Sequence, residues 1–558
     1  MTRPAILAFN AAGASLALKA AGPIGAETFG LAGRAEGLDH TFDDAGAQVG
    51  ELFRAGRPIL GVCAAGILIR LLAPLLKDKR AEPPVLALSD DGEIVAPLLG
   101  GLTGGDALAR KLAEALGATA AITGAGARRF GVVLEAPPEG YALANPQDAK
   151  SVTSELLAGA GARIEGRAPW LEAAALPLSD DGRVVLRVAA EAGAAPEGGL
   201  LYHPKILVAE FDRADVESLD RLDHALARLG LAPSSLALAT APDGAPLFHA
   251  FREKLAARSL PLRLIEGRIE GAGETHHEPG LRLHRFAEPV RPSAFGRAAG
   301  RVTVVGLGPG AKGWLAPEAA AALDRADDLV GYEGYLAMAP ERPGQRRHGS
   351  DNRVEIERAR AALALAAQGR EVAVVSSGDS GVFGMAAAVM EAVAAEPARW
   401  PSVSIEVTPG ISAMQAAASR LGAPLGHDFA VISLSDLLKP WETISARLEG
   451  AAGADFALAL YNPASLRRRQ QLVDALEIVR RHRAPATPVA LARNIGRPGE
   501  SLSVTTLGEL DPAVVDMRTL ILIGSSKTRV FARADGRSWM YTPRVYELDG
   551  HSVTLDEG

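Results

Sequence analysis

A single cysteine, Cys63, in 558 residues excludes an internal disulfide and any zinc or iron–sulfur site made of several thiolates. Aromatic residues are few, at 5%, and cationic charge is not in excess: 59 Lys and Arg face 66 Asp and Glu, for a net charge of −7. That balance disfavours nucleic acid or an anionic membrane surface as a partner. Long apolar runs are missing too, with one exception at 58–76. Arg70 and Pro74 interrupt it, and Gly61 and Gly66 break it further. An arginine held in hydrocarbon costs about 2.5–3.5 kcal/mol, whereas a strand at 59–62, a turn and a buried helix at 67–72 account for the same letters. Residues 4–9 make a strand-length run and not a leader with an h-region and cleavage site. The expectation is a soluble, cytoplasmic chain with no membrane span and no metal.

The two common phosphate loops are also absent. Residues 302–310 read Val-Thr-Val-Val-Gly-Leu-Gly-Pro-Gly, a β-branched run that stops in a glycine-rich elbow, as a buried strand does when it ends at a bare backbone loop. A dinucleotide fingerprint would need its third glycine at Ala311, and no Gly-x-x-x-x-Gly-Lys-Ser/Thr occurs. Pro309 fixes φ and removes an N–H, which suits a wall against a ligand better than an anion nest.

What is present is ordinary globular composition, 48% hydrophobic and 22% charged, in a chain long enough for roughly three to four domains. Short strands alternate with alanine-rich helices, the α/β pattern. A first α/β domain is expected at 1–125, with strands at 6–9, 59–62, 85–88 and 118–122 and a helix at 106–116. Residues 126–200, rich in Pro, Gly and Ala, read as a connector. A second small α/β domain follows at 201–290, with strands at 206–209 and 262–265 and a helix at 218–229. Clustered Gly, Pro and His without an apolar period make 267–300 an interdomain linker, with His276 and His277 a solvated pair. Two lobes come next. The first, 300–424, has strands at 302–305, 372–375 and 405–407. The second, 425–535, has strands at 456–461, 489–492 and 520–523, and a tail occupies 536–558. Leu472, Val473, Leu476 and Val479 share one face of a helix in the second lobe, with Arg480, Arg481 and Arg483 on its solvated side.

The elbow at 302–310 opens an ordered set of motifs. Val-Gly-Tyr-Glu-Gly-Tyr stands at 330–335, Val-Ser-Ser-Gly-Asp-Ser-Gly-Val-Phe-Gly-Met at 375–385 and Val-Thr-Pro-Gly-Ile-Ser-Ala-Met-Gln at 407–415. Leu-Tyr-Asn-Pro at 460–463, Ala-Arg-Asn-Ile-Gly-Arg-Pro-Gly-Glu at 492–500 and Leu-Ile-Leu-Ile-Gly-Ser-Ser at 520–526 complete it. This set resembles the tetrapyrrole methylase family, whose members transfer methyl from S-adenosylmethionine to porphyrin-like rings. Gly-Leu-Gly-Pro-Gly followed by Trp314, Leu315, Ala316 and Pro317 is similar to the precorrin-3B C(17)-methyltransferase branch of that family. The resemblance implies a two-lobed (class III methyltransferase) fold with a trough between the lobes. It also implies S-adenosyl-L-methionine as cofactor, precorrin-3B as tetrapyrrole substrate, and a homodimer.

Methyl transfer from a sulfonium is an in-line displacement; it needs alignment at about 3–3.5 Å and no nucleophilic side chain. By the resemblance, Gly308 and Pro309 wall the cofactor, while Ser377, Gly378, Asp379 and Val382 face its amino-acid end and sulfur. Asp379 either acts by charge on the ammonium and sulfonium or caps the following helix. Ser380 stands where the family has proline, which loosens the turn. Ser412 and Ala413 either touch the cofactor or simply open a helix with Ser412 as N-cap. Tyr461 and Asn462 either reach the adenine or ribose or end a strand as a plain turn. Arg493, Asn494 and Gly496 complete the adenine pocket, with a buried strand at 519–523 behind it. A polycarboxylate substrate calls for cations, arginine above all because its fork matches carboxylates. Lys439, Arg467, Arg493 and Arg497 are the candidates, Arg467 also fitting a solvated basic face. Tyr332 and Tyr335 either flank the macrocycle or fill the core. His427 and Asp436 are candidates for proton transfer, and the catalytic group is otherwise unassigned.

The N-terminal part carries a second likeness. Residues 66–74, Lys79, Glu82-Pro-Pro-Val and Leu-Leu-Gly-Gly-Leu-Thr-Gly-Gly at 98–105 resemble cobalt-precorrin-5A hydrolases, which open a lactone and release acetaldehyde. The family's Ser-Gly-His-x-Gly-Gly-Ala-Asn falls on 100–107 with Leu102 for the histidine and Ala107 for the asparagine. Its cysteine-bearing turn falls on 208–212 without the cysteine. The expectation is a C(17)-methyltransferase and ring-contracting enzyme preceded by a degenerate binding or scaffolding region. Two alternatives stand beside it: a bifunctional enzyme whose residues 1–290 still hydrolyse the lactone, and a 1–290 that carries the tetrapyrrole without turnover.

Overall fold

The computed structural model describes residues 3–342, 344–351, 354–464, 469–532, 534, 536 and 538–545. They form two compact units, one made of 1–243 and 248–296, the other of 244–247 and 297–558.

The first unit begins with a seven-stranded sheet in the order His40–Phe42, Glu27–Leu31, Ala5–Ala8, Ile59–Val62, Val85–Leu88, Ile94–Leu99, Thr119–Ala120. Its three central strands are apolar and buried at every residue, as a parallel sheet with both faces covered demands. Helices Ala11–Ile24 and Gly105–Leu116 cover one face through Ala14, Ala17, Ala109 and Leu112. Helices Ala45–Arg54 and Ala65–Leu72 cover the other through Val49, Leu52, Leu68 and Leu72. The helix expected to be buried at 67–72 is therefore buried on one side only, and Ile67 and Ile69 stay exposed.

The stretch 126–200, expected as a connector, is instead a folded layer. Strands Tyr141–Leu143, Leu200–Pro204, Val184–Val188 and Ala162–Glu165 form a four-stranded sheet over a core of Phe130, Val152, Leu156, Leu171, Leu186 and Tyr202. The strands are short and separated by glycine and proline turns, and only Val184–Val188 alternates buried and half-buried residues. A third sheet carries Leu207–Phe211, Leu236–Pro242 and Leu262–Ile265, and the expected linker at 267–300 adds a hairpin to it, Glu274–Glu278 with Leu281–Arg285. That hairpin lacks an apolar period because polar pairs fill one of its faces. The His284 Nε2 lies 2.7 Å from Glu210 Oε2, its Nδ1 lies 3.0 Å from Thr275 Oγ1, and Arg282 donates to Glu210 at 2.7 Å. His276, expected as one of a solvated pair, lies half-buried in the strand, 3.3 Å from Glu274.

Burial pushes the Glu210 carboxyl up, but Arg282 and then His284 outweigh it and hold it below the ordinary glutamate range. A depressed carboxylate stabilises the fold above its unfolded-state pKa, and that contribution is lost as pH falls through the lowered value. Glu210→Gln removes the charged acceptor shared by Arg282 and the buried His284, while Arg282 keeps Asp212 at 2.7 Å, and should cost about 1.5–3 kcal/mol. Urea unfolding between neutral and acid pH should show the loss at neutral pH and a flatter acid limb than the parent; equal stability at neutral pH would refute it.

The second unit holds the two lobes. In the first, strands Arg346–Ser350, Asp328–Tyr332, Glu371–Ser376, Arg301–Gly306 and Ser404–Thr408 lie in that order, all parallel. Helix Pro317–Arg325 packs on one face, and Glu355–Ala367 with Met385–Ala395 on the other. The second lobe's sheet runs Phe429–Ser433, Ala457–Tyr461, Thr519–Ile523, Pro488–Arg493, Ser501–Thr506, with only the first pair parallel. Helices Trp441–Gly453 and Gln470–Arg480 cover one of its faces and Ala413–Leu421 the other. Within the expected tail, Ser538–Tyr541 is a strand paired with Gly422–Ala423 and Arg529–Ala532. Arg483 is not on a solvated face: it is buried, paired with Asp455 at 2.9 Å and donating to the Phe456 carbonyl at 3.0 Å. Among the described residues no helix is long and apolar enough to cross a membrane, and no group of three His, Cys, Asp or Glu could hold a metal ion.

Candidate functional site

Three adjacent strands of the first lobe end in glycine-bearing loops that converge at the sheet's carboxyl edge, where open α/β sheets bind ligands. Gly308 and Gly378 exchange backbone hydrogen bonds of 3.0 and 2.8 Å, tying the loops after Arg301–Gly306 and Glu371–Ser376 together. The third loop closes in through Gly410, where a Cβ would lie 2.3 Å from the Gly378 carbonyl oxygen and 2.8 Å from that of Gly306. These contacts are backbone on backbone, so only glycine fits.

Asp379 clips this assembly. Its Oδ1 accepts the N–H groups of Gly381 at 2.8 Å and Val382 at 3.1 Å, and its Oδ2 accepts that of Gly410 at 2.9 Å. Both oxygens serve the loops. Ser380 does not loosen the turn: it is fully buried and donates to the Thr408 carbonyl at 2.8 Å. Ser412 caps the helix opened by Ala413, in a capping box with Gln415. Tyr461, at the end of a second-lobe strand, has its hydroxyl pushed up by burial and accepts the Met414 N–H at 3.0 Å. Asn462 has φ of 51° and donates to Ser433 Oγ at 3.0 Å, bracing the next strand end.

Arg497 reaches across from the second lobe. Its Nε donates to the Pro309 carbonyl at 2.7 Å and an NH2 to Ser377 Oγ at 2.6 Å. Burial lowers the pKa of this guanidinium, and among the described residues no carboxylate pairs with it. Gly496 packs beside Pro309 and Trp314, and Asn494 turns the chain with φ of 49°. Trp314 in turn lies under Arg420, 4.5 Å from ring centroid to guanidinium carbon. Arg493 is bound to Asp516 at 2.9 Å and is half-exposed. Tyr332 and Tyr335 form an edge-on pair at 5.2 Å; burial raises the Tyr335 hydroxyl, with Arg497 opposing. Lys439 stands 6.0 Å from the ring centroid of Phe383.

The two proton-transfer candidates separate. Asp436 lies in the loop after Phe429–Ser433, at the carboxyl edge, accepting from Gln471 at 3.0 Å. His427 precedes the same strand, and a strand length of roughly 13–17 Å puts it at the opposite edge. There it borders a cavity of about 460 Å³ with Asp428, Asp455 and Ser525, away from the converging loops. His427 is thereby corrected as a catalytic candidate: closeness in sequence to a site strand says nothing of which end of it a residue occupies. Arg467 lies outside the described residues.

Sequence reasoning missed Phe383 and Arg358. Phe383 has φ of 55° and is 54% exposed, which no residue pattern announces beyond its glycine neighbours. Arg358 is buried beside the site, donating to Ser350 Oγ at 2.8 Å and to the Met385 sulfur at 3.2 Å; it sits in an alanine-rich helix that gave no site signal.

Bare backbone at three loop ends, with side chains spent on bracing them, fits a ligand held by shape and main-chain polar groups, such as a nucleoside sulfonium. Residues 301–511 match the family model of tetrapyrrole (corrin/porphyrin) methylases, and residues 47–127 match that of the cobalamin synthesis G N-terminal domain. The cobalamin biosynthesis protein CobIJ of Mycobacterium tuberculosis (strain ATCC 25618 / H37Rv) is 51% identical over 274 residues, 48% of this chain and 53% of that protein. The chain thus spans about half the length of the CobIJ relatives it matches. Precorrin-3B C(17)-methyltransferase of Sinorhizobium sp is 50% identical over 247 residues, 44% of this chain and 97% of that one. A crystal structure of the methyltransferase CobJ aligns at 48% identity over 44% of this chain and 100% of that chain, with a TM-score of 0.42. Through its second unit, this chain belongs to the tetrapyrrole (corrin/porphyrin) methylases.

Proposed function

We propose that the second unit transfers a methyl group from S-adenosyl-L-methionine to carbon 17 of precorrin-3B and promotes contraction of the macrocycle in cobalamin biosynthesis. The observation that carries this reading is the glycine cradle of 306–310, 378 and 410, whose close approaches leave main chain facing the ligand. The similarity to the Sinorhizobium C(17)-methyltransferase along nearly all of that protein supports the substrate. The cofactor supplies an electrophilic methyl on a positive sulfur. The chain's own residues position: Asp379 and Ser380 fix the loop after Glu371–Ser376, Ser412 and Tyr461 fix the helix start at Ala413, and Arg497 locks both lobes onto Pro309 and Ser377. Such alignment is mainly an entropic service and can remove a large part of a bimolecular barrier. Arg497, charged and unmatched by a carboxylate among the described residues, suits an acidic group of either ligand.

The first unit acts in this reading as a non-catalytic binding or scaffolding region. Its glycine loop is intact: a Cβ at Gly100 would lie 2.5 Å from Pro84 backbone, and Thr103 donates to the Glu82 carbonyl at 2.7 Å. Leu102 and Ala107 supply no acid, base or nucleophile there. The purified chain given precorrin-3B and methyl-labelled S-adenosylmethionine should yield one product heavier by one labelled methyl, with no acetaldehyde. An unlabelled tetrapyrrole would sink the methyltransferase, and acetaldehyde would show that the first unit hydrolyses.

A further inference from the structure

We propose that Phe383 is the platform on which one face of the tetrapyrrole lies, so that it and its neighbours Leu438 and Lys439 set substrate choice; this rests on the methyltransferase reading above. A bulky residue at φ of 55° is held in the left-handed region that side chains with a Cβ avoid. Such strain persists only where the surroundings over-determine it, and functional sites are where it collects. The surroundings here do so on both sides. Gly381 and Val382 are held by Asp379, the Met385 N–H by Ser376 Oγ at 2.9 Å, and the Ala386 N–H by the Ser380 carbonyl at 3.0 Å. A Cβ at Gly384 would lie 2.4 Å from that same carbonyl oxygen, so the loop has no slack.

The strain does not serve the core. Phe383 is 54% exposed, with its ring propped edge-on at 5.3 Å against Tyr461 of the other lobe. Lys439 lies beside it, and Leu437 and Leu438, in the loop that precedes Lys439, are 69% and 95% exposed. Among the described residues no carboxylate pairs with Lys439. An aromatic side chain with exposed leucines and an unmatched ammonium is complementary to the apolar face of a macrocycle with an acidic rim. The same loop carries the Asp379 clip, so the platform is rigidly joined to the cofactor cradle.

The test uses the full chain with uroporphyrin III, a stable octacarboxylate macrocycle, as probe, and S-adenosylhomocysteine as a control ligand. Phe383→Gly relieves the φ strain, because glycine enters that region freely, so its melting temperature should equal or exceed the parent's. S-adenosylhomocysteine affinity should stay within about twofold while uroporphyrin III binding weakens at least tenfold, with KM for precorrin-3B rising in parallel. Leu438→Ser should weaken the macrocycle again without touching the control. Unchanged macrocycle binding in Phe383→Gly overturns the inference, as does an equal loss of S-adenosylhomocysteine, which would make Phe383 a brace of the cofactor loop. If the parent itself ignores uroporphyrin III the platform falls, while labelled methyl transfer, measured separately, still decides the proposed reaction.

Discussion

Gly410→Ala is expected to abolish binding of S-adenosylhomocysteine while leaving the chain folded. The new Cβ would sit 2.3 Å from the Gly378 oxygen and 2.8 and 2.9 Å from the Gly306 oxygen and carbon. All three are main-chain atoms of loops that also bind each other, so no side chain can swing aside. Gly410 does not need a left-handed φ, and the effect is purely steric. Overpacking of this kind costs about 1–3 kcal/mol, and forcing the three loops apart opens the cradle itself. A loss of at least a hundredfold, about 2.7 kcal/mol, is expected by calorimetric titration. Gly313→Ala is the control, since nothing lies within 4 Å of its added carbon. A parental dissociation constant in Gly410→Ala would mean that the cofactor does not use this cradle.

Asp379 should be nearly as sensitive, and the choice of replacement tells two roles apart. If its negative charge alone attracted the cofactor, Asp379→Glu would retain function. The three N–H groups on its two oxygens argue otherwise. Asparagine must aim an NH2 at either Gly410 or the Gly381–Val382 pair, losing hydrogen bonds to a charged acceptor worth about 1.5–3 kcal/mol each. Glutamate keeps the charge but displaces both oxygens by a methylene. Both variants should therefore lose about 10- to 100-fold in S-adenosylhomocysteine affinity. A glutamate variant that binds like the parent would restore the role by charge.

The lobes were largely legible because each motif is local. A β-branched run followed by glycines marks a strand end wherever it falls, and the strands expected at 302–305, 372–375 and 520–523 lie within Arg301–Gly306, Glu371–Ser376 and Thr519–Ile523. The Ser-x-x-Gln spacing at 412–415 likewise contained its own capping box. Residues 126–200 and 267–300 were not legible. Their strands are short or polar on one face, and the Glu210–His284 contact that explains the second joins residues 74 apart. That His427 and Asp436 fall at opposite ends of Phe429–Ser433 was not legible either, because which strand end faces the site is a property of the sheet.

Composition and local pattern alone determined the α/β class, the exclusion of a metal site made of several thiolates and the glycines at strand ends, since each is read from a residue count or from neighbours a few residues away. Only the tertiary structure decided which glycine loops meet, that Asp379 accepts N–H groups from two of them, that Arg497 spans 120 residues to Ser377, and that Phe383 stands out from the surface. The reason is geometric: strand order brings together loops far apart in sequence, and a hydrogen bond or a 2.3 Å exclusion exists only after they meet.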